Sequence, residues 1–331
     1  MKKVLKITLI VLTVIIVAIT GVIGYVKTAL PAANVSDASD LKIDYTAERI
    51  DRGKYLANNV AMCIDCHSTR DFTVFGGPLI PGTEGKGGEK FSKELGFPGD
   101  FYAANITPAA IGNWTDGELF RAITTGVSKD GHALFPVMPY LNFGKMDKED
   151  IYSIIAYIRT LKPIENKIPA SEPMFPVSIL INTMPTEATF SSIPSQEELI
   201  PYGKYLFTMA SCSDCHTPMD KGTPIEGKFA AGGFEFNLPD GTVLRSANIT
   251  PDKATGIGNW TEEYFVSRFK SFSDSAYVAH KVGPKEFKTI MPWPGYTHMD
   301  EYDLKAIYAY LRTLPAVNNQ VIKFEERQQT E

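Results

Sequence analysis

Cys63-Ile64-Asp65-Cys66-His67 and Cys212-Ser213-Asp214-Cys215-His216 are the stretches on which the reading of this chain turns. Both are C-x-x-C-H, the attachment signature of c-type haem. Two thiols three residues apart on one helical turn can each add to a haem vinyl group, and the following His then lies under the porphyrin as an iron ligand. The chain has only four Cys, and the two motifs use them all. A structural zinc site needs four ligands brought together, and here the Cys pairs stand far apart. A thioredoxin-like redox pair needs a βαβ context that the sequence lacks. The expectation is therefore covalent haem at Cys63, Cys66, Cys212 and Cys215, two haem c groups per chain, with His67 and His216 as axial ligands.

Working outward, the flanks of the two motifs repeat as well. Gly53-Lys54-Tyr55-Leu56 recurs as Gly203-Lys204-Tyr205-Leu206, and Asn105-Ile106-Thr107-Pro108 as Asn248-Ile249-Thr250-Pro251. Gly112-Asn113-Trp114-Thr115 recurs as Gly258-Asn259-Trp260-Thr261, Met138-Pro139 as Met291-Pro292, and Tyr157-Ile158-Arg159-Thr160-Leu161 as Tyr310-Leu311-Arg312-Thr313-Leu314. The offsets run from 143 to 153 residues, so the copies differ by loop insertions. At this period each copy is a domain rather than a solenoid unit. The expected organisation is an anchor over 1–27, a tether over 28–45, a first domain over 46–165, a Pro-rich linker over 166–196 and a second domain over 197–331. Within the linker, Phe175 to Ile181 is apolar enough to pack across a domain.

The periodicity is helical, so the predicted fold is mainly α. Ile151, Ile154, Ile155 and Ile158 form one helix face, as do Leu304, Ile307, Tyr308 and Leu311. Asp147 and Asp300 suit the N-caps, and Met146 and Met299 suit staples onto Ile151 and Leu304. Shorter helices are expected near 48–58 and 197–209, leading into each Cys pair. No alternating run is long enough to demand a sheet, and Gly and Pro make 76–99 and 222–241 long loops.

Met/His ligation raises a haem potential and suits electron transfer. Met138 and Met291 stand at equivalent repeat positions, 71 and 75 residues after His67 and His216, and are the expected sixth ligands. A lone Met is ordinarily core filler; the matched Met-Pro pairs favour ligation. His132, His280 and His298 have no repeat counterpart and read as loop residues. Asn105, Trp114, Asn248 and Trp260 carry N–H donors suited to haem propionates. Pro78 or Pro81, and Pro218 or Pro224, are candidates for the carbonyl that orients each His ring. The loop 82–90 resembles a phosphate cradle but fails the P-loop test, because Gly87 follows Lys86 and Ile80 replaces the first Gly.

Composition bounds the rest. The chain has 331 residues, 44% apolar and 21% charged, with a formal charge of −5, which excludes wholesale disorder. Ile7 to Val26 is an uncharged run of 20 residues, about 30 Å as a helix and enough to cross a hydrocarbon core. Lys2, Lys3 and Lys6 precede it and Lys27 follows, which places the N-terminus inside and the body outside, on the periplasmic side. A cleaved signal peptide is the competing reading, with Ala29, Ala32 and Ala33 near the cleavage position. Residues 1–27 hold four of the 33 basic residues and none of the 38 acidic ones, so the exported body carries −9. That charge argues against nucleic acid and for a redox partner with a basic docking patch.

These residues carry a family resemblance. The two C-x-x-C-H motifs, Asn248-Ile249-Thr250-Pro251 leading into Gly256-Ile257-Gly258-Asn259-Trp260, Asp130-Gly131-His132-Ala133-Leu134-Phe135-Pro136-Val137-Met138-Pro139-Tyr140, and Ala156-Tyr157-Ile158-Arg159-Thr160-Leu161 resemble the cytochrome c subunits of membrane-bound alcohol, aldehyde and gluconate dehydrogenases. The likeness spans roughly residues 46 to 315. It implies two tandem class I cytochrome c domains, with His67/Met138 and His216/Met291 as axial pairs, passing electrons from a dehydrogenase to quinone or another respiratory acceptor. Those subunits typically carry three haems, often with a C-terminal membrane segment; this chain has two motifs and an N-terminal apolar run. A di-haem peroxidase, needing one open iron position lined by His132 or His280, and a haem subunit without an independent carrier role are the alternatives.

Overall fold

The computed structural model describes residues 2–33, 35–36, 40–273 and 277–326. A helix at Lys2–Thr28 leads the chain, long and apolar enough to cross a membrane. Parts of the expected tether (34 and 37–39) and the last residues of the second expected domain (327–331) lie outside the described residues. The end of the tether is docked: Ile43 is buried, its N–H donates to Asp116 at 3.1 Å, and the Tyr45 hydroxyl donates to the same carboxylate at 2.5 Å.

Each repeat is built around one crossing of two helices. In the first, Ala47–Tyr55 crosses Lys148–Ile158; in the second, Leu199–Met209 crosses Glu301–Leu311. The crossings are set by glycine. A Cβ on Gly53 would lie 1.8 Å from the Ser153 carbonyl oxygen, and one on Gly203 would lie 1.8 Å from that of Ala306. The backbones touch, so neither position tolerates a side chain, and this is the physical content of the repeated Gly-Lys-Tyr-Leu block. Ile151, Ile154, Ile155 and Ile158 are all buried, as are Leu304, Ile307 and Leu311. Met146 and Met299 are buried in the same core as Ile151 and Leu304.

Asp147 caps its helix, accepting from the Glu149 N–H at 2.8 Å. Asp300 corrects the expectation: it stands at the N-cap position, but its side chain makes no capping bond. Its own N–H instead donates to the Tyr55 hydroxyl of the other repeat at 3.0 Å.

Among the described residues, three small antiparallel sheets edge the helices, where the periodicity demanded none. Lys90–Phe91, Gly99–Tyr102 and Glu172–Pro173 form one, with Phe91 opposite Phe101 and Asp100 opposite Glu172. Glu235–Asn237, Thr242–Arg245 and Phe324–Glu326 form another, with Leu244 between Phe236 and Phe324. Met219–Asp220 pairs with Thr223–Pro224. These strands of two to four residues are too short to show an alternating pattern.

The Pro-rich segment after the first repeat wraps that repeat. Thr189 N donates to Gly144 O at 2.8 Å, Ser191 Oγ to Lys145 O at 2.7 Å, and Phe190 stacks on Phe120 at 5.2 Å.

Candidate haem-binding site

Both C-x-x-C-H motifs begin from a left-handed residue, Met62 at φ 55° and Ser211 at φ 53°, which turns the chain into the helical turns Cys63–Cys66 and Cys212–His216. The two histidines are then held identically. His67 Nδ1 lies 2.6 Å from the Ala104 carbonyl, and His216 Nδ1 lies 2.7 Å from that of Ala247. A carbonyl can only accept, so Nδ1 carries the proton and donates, leaving the Nε2 lone pair free for a metal. Burial lowers the pKa of both imidazoles, with the carbonyl bond opposing, which favours the neutral ligand form.

The orienting carbonyls are therefore alanines, which corrects the choice among Pro78, Pro81, Pro218 and Pro224. Pro78 O accepts from Asp71 N and Pro218 O from Ile225 N, so those two are spent in local turns. The real signal is the repeated Ala-Asn-Ile-Thr-Pro. Asn105 Nδ2 donates to Ile164 O at 2.7 Å while its Oδ1 accepts from Thr107 N and Oγ1 at 2.9 and 2.8 Å. Asn248 does the same with Val317 O at 2.8 Å and with Thr250 N and Oγ1 at 3.0 and 2.8 Å. Both Asn are buried, and each brackets the carbonyl just before it. Gly87 and Gly232 close the frame: their N–H groups donate to the His67 and His216 carbonyls, each at 2.7 Å. Both have positive φ, and a Cβ on either would stand 2.4 Å from backbone at 104 or 247–248. Trp114 and Trp260 pack against the core, their carbonyls accepting from Arg159 at 2.5 Å and the Tyr308 hydroxyl at 2.7 Å.

The four thiols are free. Desolvation pushes Cys63, Cys212 and Cys215 up to about 12, and Cys66 higher still, with Asp65 and Glu89 adding to the shift. The shift is upward at all four, opposite to the depressed thiols of a reactive redox pair. The donor set fits haem c: two thiols on one turn, then a neutral imidazole with Nε2 free.

The Asp before the second thiol is common to both repeats, but its surroundings differ. Asp65 is buried against Arg70, which also pairs with Glu89. Burial pushes Asp65 up to about 6, against the pull of Arg70. Asp214 has no such ion pair among the described residues and accepts from Asn142 Nδ2 at 2.9 Å; burial raises it too.

Met138 and Met291 stand in matching turns. Tyr140 N donates to Met138 O at 2.7 Å, and Trp293 N to Met291 O at 2.8 Å, across Pro139 (φ −80°, ψ 49°) and Pro292 (φ −79°, ψ 63°). These are inverse γ-turns. A cleft of about 930 Å³ is lined by residues of both repeats, among them Arg70, Glu89, Phe97, Phe236 and Ile290, and none of the expected haem ligands lines it. His132 is exposed, its Nδ1 within hydrogen-bond reach of Ser128 Oγ at 2.8 Å and paired with Asp130. His280 stacks on Phe75 at 4.9 Å, and His298 is exposed.

The repeats bring their motifs together. The short helix after each Met-Pro packs on the residue before the other repeat's Cys pair. Asn142 Nδ2 donates to Ser211 Oγ at 3.1 Å, and Gly295, its repeat equivalent, faces Met62, whose Cε would lie 2.1 Å from an added Cβ. Tyr296 stands between the motifs. Its hydroxyl donates to Ala210 O at 2.9 Å, and burial raises its pKa far, with Cys212, Cys215, Asp65 and Cys66 all adding to the shift.

Residues 200–315 match the cytochrome c family. The cytochrome c subunit of alcohol dehydrogenase (quinone) from Gluconacetobacter polyoxogenes is 28% identical over 289 residues, covering 83% of this chain and 58% of the relative. The cytochrome subunit of fructose dehydrogenase from Gluconobacter japonicus is 30% identical over 288 residues, covering 81% and 53%. A diheme cytochrome c-type protein from Cereibacter sphaeroides is 27% identical over 265 residues, covering 77% and 82%. The chain thus spans little more than half the length of the dehydrogenase subunits it matches. Its residues 200–315 are similar to the cytochrome c family, and over most of its length the chain resembles the cytochrome c subunits of alcohol and fructose dehydrogenases.

Proposed function

We propose that this chain is a membrane-anchored di-haem cytochrome c on the periplasmic side, taking electrons from a dehydrogenase subunit and passing them to a respiratory acceptor. The observation that carries the proposal is the pair of matched frames. Each holds a histidine with Nδ1–H on an alanine carbonyl and Nε2 free, directly after a thiol pair. Cys63, Cys66 and His67 would hold one haem, and Cys212, Cys215 and His216 the other. Met138 and Met291 are the proposed sixth ligands. Bound haem supplies a one-electron iron couple at each site, with the potential raised by Met ligation. The chain's own groups do the rest. Ala104 and Ala247 fix the ring tautomer and orientation, Gly87 and Gly232 let the loops close over them, and the surrounding core excludes water. Trp114 and Trp260 remain candidates for propionate contact. The named roles of the relatives support the dehydrogenase partner, and the apolar helix 2–28 supports anchoring.

An optical redox titration of the full chain, matured with haem and scored for stoichiometry and spin state, tests the reading. Two low-spin haems at raised potentials are expected. A single haem overturns the di-haem assignment, and one high-spin haem that binds peroxide moves the protein to the peroxidase class.

A further inference from the structure

We propose that the exposed apolar side of residues 174–180 rests in the bilayer surface beside the N-terminal helix and orients the body on the membrane. The inference depends on helix 2–28 being the membrane anchor. That helix packs on the helical turns Val177–Leu180 and Ile181–Thr183. Within its apolar run, Ile23 and Val26 are partly covered, whereas every residue from 7 to 22 is exposed. These two lie one turn apart, on one face, in the last residues of the run. At about 1.5 Å per residue, the covered turn sits within roughly 5 Å of the run's end, at the depth where acyl chains meet headgroups. The turns that touch it are carried to the same depth.

Residues 174–184 have two faces. Val177, Ile181 and Met184 pack into a small core with Phe91, Phe97, Phe101 and Phe135. Met174, Phe175 and Leu180 point away; Phe175, 81% exposed, is the most exposed large apolar side chain among the described residues. The segment is fixed at its base: Met174 N donates to Pro98 O at 2.9 Å, and Glu172–Pro173 pairs with Gly99–Asp100. An apolar patch held rigidly against a membrane helix, at headgroup depth, matches an interfacial anchor and commits the face to lipid. Phe135 stacks on Phe101 at 4.0 Å and stands three residues before Met138, so the patch is tied to the first repeat's Met-Pro turn.

The test uses the full-length holoprotein in vesicles of phosphatidylethanolamine and phosphatidylglycerol. With the four native thiols bound to haem, one added Cys is the sole labelling site. Phe175→Cys and Leu180→Cys, both at exposed positions, and Leu12→Cys in the middle of the apolar run each receive an environment-sensitive NBD label. Emission is compared with and without lipid carrying a doxyl quencher. The expected result is about a twofold loss at 175 and 180 with a shallow doxyl group, and a similar loss at 12 with a deep one. Quenching at 12 without quenching at 175 and 180 overturns the seating while leaving the anchor intact. Absence of quenching at 12 removes the anchor and the seating with it. A response at 175 that appears only when a dehydrogenase subunit is added assigns the face to that protein instead.

Discussion

The Tyr55 hydroxyl donates a 2.6 Å hydrogen bond to Asp303, a residue of the other repeat. The same bond recurs in reverse, from Tyr205 to Asp150 at 2.7 Å. Each phenol also accepts from the helix-start N–H beyond that carboxylate, Asp300 for Tyr55 and Asp147 for Tyr205. The two repeats are therefore joined by a reciprocal pair of buried ties. They are unequal in one respect. Arg52 holds Asp150 with bonds of 2.9 and 3.0 Å, while Tyr202 stands at the equivalent position and gives Asp303 one neutral bond at 3.0 Å.

Tyr55→Phe is expected to destabilise the protein by about 1–3 kcal/mol, because it removes one of two neutral donors from a buried carboxylate. Tyr205→Phe is expected to cost less, since Asp150 keeps its guanidinium. Urea unfolding of the two variants checks the order; equal costs remove the argument from Arg52.

Burial raises the Asp303 pKa, with the bonds from Tyr55 and Tyr202 opposing. A carboxyl whose folded pKa lies above its unfolded value favours the folded state when protonated. Its contribution is fully present below the unfolded pKa and is lost as pH rises through the folded one. Asp303→Asn mimics the protonated form, so its stability relative to wild type should improve as pH rises through that window. Thermal melts from pH 4 to pH 7 measure it, over roughly the range of raised carboxyl pKa values. A constant offset between the two proteins counts against the assignment.

Gly53→Ala and Gly203→Ala each place a methyl group within covalent distance of a facing carbonyl. The helices must separate, at an expected cost of several kcal/mol, well above the roughly 1 kcal/mol that Ala gains over Gly within a helix. The readout is the yield of holoprotein and its melting temperature. Gly21→Ala, with nothing within 4 Å of an added Cβ, serves as the comparison and should leave the body unchanged.

Met138→Ala and Met291→Ala should each change one haem and leave the other. The expected signature is conversion of one site toward high spin, or a fall in one midpoint on the order of 0.1 V or more, within the roughly 0.8 V range that axial ligands span. A variant that leaves both midpoints in place shows that its Met is packing rather than a ligand.

The sequence alone determined what local chemistry and short spacing carry. The C-x-x-C-H motifs declare themselves because thiols and imidazole must share one turn. The isoleucine face of 148–158 is visible because helical periodicity is local. The duplication follows from matched blocks, and the membrane-length helix from an uncharged run. Tertiary structure decided every partner drawn from a distance. Ala104, rather than a proline, orients His67: the repeated Ala-Asn-Ile-Thr-Pro marks the loop, but which loop's carbonyl reaches the ring is set by packing. Asp300 gives its N–H to Tyr55 across the repeats, although its spacing reads as a local cap. The strands of two to four residues are too short to carry a pattern and exist only because neighbouring loops pair with them. The meeting of the motifs around Tyr296, and the docking of 174–184 between the first repeat and the apolar helix, arise from contacts between segments far apart in the chain. Composition and periodicity report how a residue treats water and its near neighbours; which distant surface covers it is settled only when the whole chain packs.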